Sequence, residues 1–192
     1  MRSDLGARLR VIGLACAVLL APPPARATDP PYDIEIQKSE QVLLVKHGDT
    51  VERTYHIALG RGGHGDKRMH GDNRTPVGVY RIADFNHNSR FYMFMHLNYP
   101  NVKDAFWGYK NHLISEDEFN RILSALRRGA LPPQTTALGG SIGIHGIGEL
   151  TEEKLRIHRS ANWTEGCIAM TNAEIDELRR YVGVGTRVEI KE

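Results

Sequence analysis

Two residues in this chain are of the type that does covalent chemistry and stand in places that suit it. Cys167 follows Gly166 in TEGC and lies just upstream of a segment that reads as a helix. A thiol attacks only as the thiolate, so it needs a base or positive surroundings. A helix N-terminus provides part of that if the sulfur points at it. Gly166 permits close backbone approach. The amides near residues 166 and 167 are then candidates for an oxyanion hole, where acyl transfer gains most. The base is expected to be a histidine. His145, in SIGIHG, ranks first because it ends a strand-like run before Gly146, and a strand end is a rigid support. His158 is nearer in sequence but sits in EEKLRIHR, which reads as a solvated helix, and ranks second. Considered alone, Cys167 has blander readings: a small buried hydrophobe, a metal ligand or half of a disulfide.

The second of the chain's two cysteines, Cys16, lies in an apolar run from Val11 to Ala21. Arg2, Arg8 and Arg10 precede that run, and Ala25-Arg26-Ala27 follows three prolines, which is the layout of a signal peptide and its cleavage site. The run is short for a bilayer span, which takes ~20 apolar residues. Residues 1–27 are therefore expected to be a signal peptide, 28–33 a linker, and 34–192 one catalytic domain, exported and without a stable membrane span after cleavage. Cleavage would leave 165 of the 192 residues and remove four Arg and one Asp, so the formal charge falls from +2 to about −1. A nucleic-acid footprint needs a basic stripe, and none is present. A lone cysteine in an exported chain has no intramolecular disulfide partner.

The elements that must hold Cys167 and His145 are legible from periodicity. Residues 34–59 alternate as a hairpin does, with His47-Gly48-Asp49 at the turn. Residues 60–78, GRGGHGDKRMHGDNRTPVG, form a long glycine-rich loop of the kind that is often functional. Strands are expected over Val77–Ile82, residues 91–99, residues 141–145 and Arg187–Ile190. Capping boxes at Ser115–Glu118 and Thr171–Glu174 open two main helices, the first stopped at Gly129 and the second ending near Tyr181. Leu150 to His158 reads as a short helix in an excursion. The class is strand-dominated α+β.

These residues resemble the L,D-transpeptidase (YkuD-like) family, nearest to its periplasmic YafK-type branch. GGSIGIHG followed by TEGCIAM is similar to the family's His-Gly and [ST]-x-G-C signature. GDNRTPVGVYRI is similar to its upstream G-D-x-R-T-P-x-G-x-Y motif, and NYPN followed by Asp104 also fits the branch. Three motifs in the family's order make the resemblance specific, and it runs from about Ile34 to Ile190. It implies an L,D-transpeptidase-type mixed β-sheet sandwich with short helices. It implies cysteine-dependent acyl transfer on peptidoglycan stem peptides in a periplasmic, wall-associated setting. Cys167 would attack the carbonyl of the third stem residue, His145 would move the proton, and Gly166 and Cys167 amides would hold the oxyanion. Arg74, Gly146, Trp163 and Thr164 are the expected substrate-binding residues. No metal or cofactor is implied. Two departures stand out: Glu165 and Ala169 occupy positions where the family usually has histidine and arginine. Arg74 is then the expected ligand of a substrate carboxylate, with an ion pair to Asp72 or Asp66 as its plain alternative. His145 and Cys167 stand 22 positions apart, longer than usual, and 149–159 are expected to form a small lid.

Other functions compete. The same chemistry with water as acceptor gives a hydrolase that cuts stem-peptide bonds or releases a peptidoglycan-linked lipoprotein, which would then be a partner. A peptidoglycan-binding module without turnover is a lesser alternative that the intact Cys–His pair opposes. There are nine histidines, but no H-E-x-x-H, and no second cysteine is left to pair with Cys167. The absence of C-x-x-C opposes a thiol oxidoreductase.

Overall fold

A computed structural model describes residues 31–192. The expected signal peptide and the first half of the linker lie outside the described residues. Among the described residues, no helix is long and apolar enough to cross a membrane.

Alternation builds the first layer. In β1 (Asp33–Gln37) and β2 (Val42–His47), Ile34, Ile36, Leu43 and Val45 are fully buried. Burying an aliphatic side chain of this size contributes about 1.5–3 kcal/mol. β2 turns at Gly48 into β3 (Thr50–His56), as the His-Gly-Asp signal predicts. β4 (Gly78–Asn86) is long enough to serve two partners. Its first half pairs with β8 (Arg187–Lys191), and its second half pairs with β5 (Phe94–Leu97). A register shift between Ile82 and Asp84 marks the change, and such a bulge bends and twists a strand. β6 (Gly143–His145) and β7 (Ile168–Ala169) complete one sheet in the order β3-β2-β1-β8-β4-β5-β6-β7. Pairs β1·β8 and β6·β7 are parallel and the rest antiparallel, so the sheet is mixed, as expected.

The expected sandwich is made by this single sheet curling over. The chain leaving β3 crosses to the far edge, where Ala58 bridges Ala169 and Gly60 bridges Thr164. The β7 edge is thereby engaged, and one buried cluster runs from Ile34 through Tyr80 and Met95 to Ile168 and Leu178.

Among the described residues, four helices pack outside. α2 (Glu116–Arg127) and α4 (Asn172–Leu178) open with the two expected capping boxes. α3 (Glu152–Ser160) is the expected excursion. α1 (Val102–Lys110) is an addition to the sequence reading. Its capping box is Asn101/Asp104, and its buried positions are Asp104, Ala105 and Gly108, so no apolar period announces it. Asp104 is buried because Tyr80 Oη donates to it at 2.9 Å and the Asn101 amide donates at 3.0 Å.

The Tyr80–Asp104 bond ties α1 to β4. Tyr80→Phe removes a donor from a buried carboxylate, which costs roughly 1–3 kcal/mol. The denaturation midpoint of Tyr80→Phe should fall accordingly. An unchanged midpoint would show that the bond does not hold α1.

Candidate active site

The parallel β6·β7 pair sets Ile144 opposite Ile168 and His145 opposite Ala169. Extending that register by one residue places Cys167 beside Gly143. Opposed residues share a face and side chains alternate along a strand, so Cys167 and His145 project from the same face at diagonal positions. Both line a cleft of about 710 Å³.

His145 is 2% exposed and enclosed by aromatic rings. Phe91 stacks on it at 4.4 Å and Phe94 at 5.5 Å, while Trp163 meets it edge-on at 5.8 Å. Its Nδ1 lies 2.7 Å from the Gly146 carbonyl oxygen. A carbonyl only accepts, so Nδ1 carries the proton and Nε2 is left as the acceptor. Burial pushes the imidazole pKa down to about 4. The bond to Gly146 opposes that shift, and the nearby charges of His158 and Arg90 add to it.

Cys167 is half-buried, and its Sγ donates to the Ser141 carbonyl at 3.3 Å. Burial pushes the thiol pKa up to about 11, against the pull of the Gly143 amide and the Lys67 charge. Both members of the pair are therefore neutral at pH 7, the thiol protonated and the imidazole not. Lys67 is itself buried. Its Nζ donates to Asp72 at 2.7 Å and to the Met69 carbonyl at 3.0 Å.

The other expected site residues divide. Trp163 lines the cleft, with its Nε1 3.5 Å from Nδ1 of the buried His158. His158 is thus a prop beneath Trp163, and the solvated helix face expected for it is corrected. Thr164 also lines the cleft, but its hydroxyl is engaged internally, accepting from the Gly166 amide at 3.2 Å and donating to the Cys167 carbonyl at 2.7 Å. That bond also occupies the Gly166 N–H, which was expected to face an oxyanion. Gly166 is needed instead for its backbone: φ is +126°, and a Cβ there would stand 2.7 Å from the Arg74 carbonyl.

Gly146 does not line the cleft. A Cβ on it would strike Asn172 Oδ1 at 2.5 Å, so it packs tightly there, and its carbonyl orients His145. Arg74 is likewise not among the lining residues. Its Nε donates to the Gly62 carbonyl at 3.3 Å and its amide to Asp72 at 3.1 Å. The arginine therefore staples the glycine loop shut, because the loop folds back on itself around Asp72. This carboxylate also accepts from the Arg68 and Met69 amides, so the 60–78 loop is bonded to itself. Ala169 is fully buried against Ala58 and brings no charge to the cleft.

Sequence reasoning missed the cations of the cleft, Arg61, Lys67 and Arg90, and two positioning residues. Gln134 Oε1 accepts from the Ser141 amide at 2.6 Å and so sets the carbonyl that meets Cys167. Asn172 Oδ1 accepts from the Ile147 and Gly148 amides, and its Nδ2 donates to the Gly148 carbonyl at 2.8 Å. Neither has a local signal: Asn172 acts on a turn 24 to 25 residues away, and Gln134 bonds Ser141, seven residues on, within a stretch that has no periodicity. Among the described residues, no group of three or more His, Cys, Asp or Glu side chains is placed to hold a metal.

The buried neutral His145 should make stability depend on pH. Between the ordinary histidine pKa of about 6.5 and the folded value near 4, the unfolded chain binds a proton that the folded one does not. Its contribution is complete above pH 6.5 and is lost as pH falls toward 4, by roughly 3 kcal/mol. Denaturant titrations across that window should show the decline, and it should flatten in His145→Gln. A variant with the same slope as the parent would reject this origin.

Comparison with known proteins agrees with this architecture. Residues 31–190 match the YkuD family, described as the L,D-transpeptidase catalytic domain. YafK of Escherichia coli strain K12 is 33% identical over 158 residues, covering 79% of this chain and 47% of YafK. The chain thus spans about half the length of that relative. The helical cell shape determining protein Pgp2 from Campylobacter jejuni shares the fold, with a TM-score of 0.55 and 23% identity over 85% of this chain and 48% of Pgp2. Bd1075 of Bdellovibrio bacteriovorus does so at a TM-score of 0.51 and 20% identity, covering 85% of this chain and 48% of its own. With the family match running the length of the curled sheet, this chain belongs to the YkuD family of L,D-transpeptidase catalytic domains.

Proposed function

We propose that this domain is a cysteine acyltransferase acting on peptidoglycan stem peptides, with Cys167 as nucleophile and His145 as general base. The observation that carries the reading is the shared face: Cys167 and His145 project together from β6·β7 into one cleft, with Nε2 of His145 left as the acceptor. Family membership supplies the substrate class.

The neutral resting pair defines the sequence of proton transfers. Nε2 takes the thiol proton as sulfur attacks the carbonyl carbon of the third stem residue. The tetrahedral oxyanion collapses, the C–N bond breaks, and Nε2–H protonates the departing amine. A thioester remains on Cys167. An amine or water then attacks it, gives its proton to Nε2, and sulfur leaves and recovers that proton. With Gly166 N–H engaged by Thr164, the Gly143 amide beside the sulfur and the Cys167 amide are the proposed oxyanion donors. Export to a periplasm and contact with a wall-linked lipoprotein belong to the same proposal. Asp72 holding Lys67 keeps a positive charge near sulfur, which favours the developing thiolate.

Two measurements test this. Incubating lipoprotein-bearing sacculi with the protein and with Cys167→Ala, and profiling muropeptides by mass spectrometry, should show a Cys167-dependent change. New third-position cross-links or added lipoprotein identify an amine acceptor; loss of either with free tripeptide ends identifies water. Identical profiles for the two proteins would sink the cysteine mechanism. Alkylation of Cys167 by iodoacetamide should rise with pH to a midpoint above the roughly 8.5 of a free thiol. A plateau already reached by pH 7 would indicate a preformed thiolate–imidazolium pair instead.

A further inference from the structure

A second pocket of about 520 Å³ opens beside the cleft, behind the wall made by Phe91 and Trp163. Ile147 and Ile157 line its interior, and Ile157 comes from α3, the segment that lengthens the stretch between His145 and Cys167. Glu149 and Lys154 stand on its rim and pair with each other at 3.7 Å. Arg90 lines both the pocket and the cleft. Its guanidinium lies 4.7 Å over the Phe91 ring and has no carboxylate partner among the described residues.

The backbone of Arg90 is packed into the fold while its side chain reaches solvent. A Cβ on Gly148 would strike the Arg90 carbonyl at 2.3 Å, and one on Gly146 would stand 2.9 Å from the Phe91 carbonyl. The 146–148 turn therefore clamps the 90–91 backbone, and Asn172 clamps the turn. The same turn orients His145. The pocket thus lies on the His145 side of the cleft, whereas Ser141, Gln134 and the glycine loop surround Cys167 on the other.

Chemistry assigns the two sides. In acyl transfer the acyl carbon sits at the nucleophile, and the amine sits at the group that protonates it on departure. We propose that the side pocket is the amine-side subsite, and that Arg90 binds a carboxylate carried by the departing residue while the pocket takes its apolar side chain. An amine-bearing residue with a free carboxylate and an apolar side chain is the ligand class. The unpaired guanidinium meets a carboxylate with charge-assisted hydrogen bonds, and the apolar interior removes side-chain surface from water. This inference rests on the acyl-transfer reading of Cys167.

The test uses stem tetrapeptides whose fourth residue ends in a carboxylate or a carboxamide, and is either alanine or leucine. Release of that fourth residue is common to transfer and hydrolysis, so kcat/KM for release is measured with the full protein. Comparing variants as ratios cancels the intrinsic difference between leaving groups. The acid-over-amide ratio should fall about tenfold in Arg90→Gln and be partly kept in Arg90→Lys. The leucine-over-alanine ratio should fall in Ile157→Ser. Parent-like ratios in Arg90→Gln, with a Cys167 acyl adduct detected by intact-protein mass, would overturn the subsite and leave the acyl-transfer reading standing. If neither an acyl adduct nor release is detected in the parent protein, the acyl-transfer reading falls and takes the subsite with it.

Discussion

The parallel pairing of β6 with β7 is the constraint on which the site depends. It is short, with Ile144 opposite Ile168 and His145 opposite Ala169. A slip of one residue would send either His145 or Cys167 to the opposite face, because side chains alternate with a period of two. The surrounding structure guards that register from both sides. β5 pairs Phe94 with His145 on one flank, and Ala58 bonds both ways with Ala169 on the other. The chain leaving β3 brings Ala58 there as the sheet curls over. A distant feature of the fold thus fixes the relation between two side chains in the cleft.

The turn after β6 carries a second duty. Ile147 and Gly148 are held by one side chain, Asn172 at the start of α4, through three hydrogen bonds. The turn gives His145 its carbonyl partner and presses on the backbone of Arg90 and Phe91. The orientation of the proposed base and the backbone path of Arg90 and Phe91 are therefore set by one compact unit.

Electrostatics and packing pull in different directions here. Enclosing His145 in Phe91, Phe94 and Trp163 fixes its orientation but lowers its affinity for a proton. Burying the Cys167 sulfur likewise disfavours its charge. The pair rests uncharged, and the proposed reaction must create charge during attack, where Lys67 and backbone amides stand ready. Preorganised dipoles and charges of this kind act most strongly in a dry site.

The sequence alone determined what is local. Alternation predicts β1 to β3, S/T-x-x-E boxes predict the starts of α2 and α4, and the motifs around His145 and Cys167 single out those two residues and the family. These signals lie within a few residues of one another, so they survive without a fold. α1 escaped because small and polar residues form its buried face. Roles that depend on distant partners escaped. Arg74 turns inward because Gly62 and Asp72 fold against it, Gly146 packs on Asn172 outside the cleft, and Thr164 lines the cleft with its hydroxyl bonded internally. Arg90 and Asn172 entered only through contacts between separate stretches of chain, and Gln134 through a bond to Ser141 inside a loop without periodicity. Which residues can react is written in their types and neighbours. Which residues surround them was decided by the tertiary structure, because only closure of the sheet brings separate stretches of chain to one face.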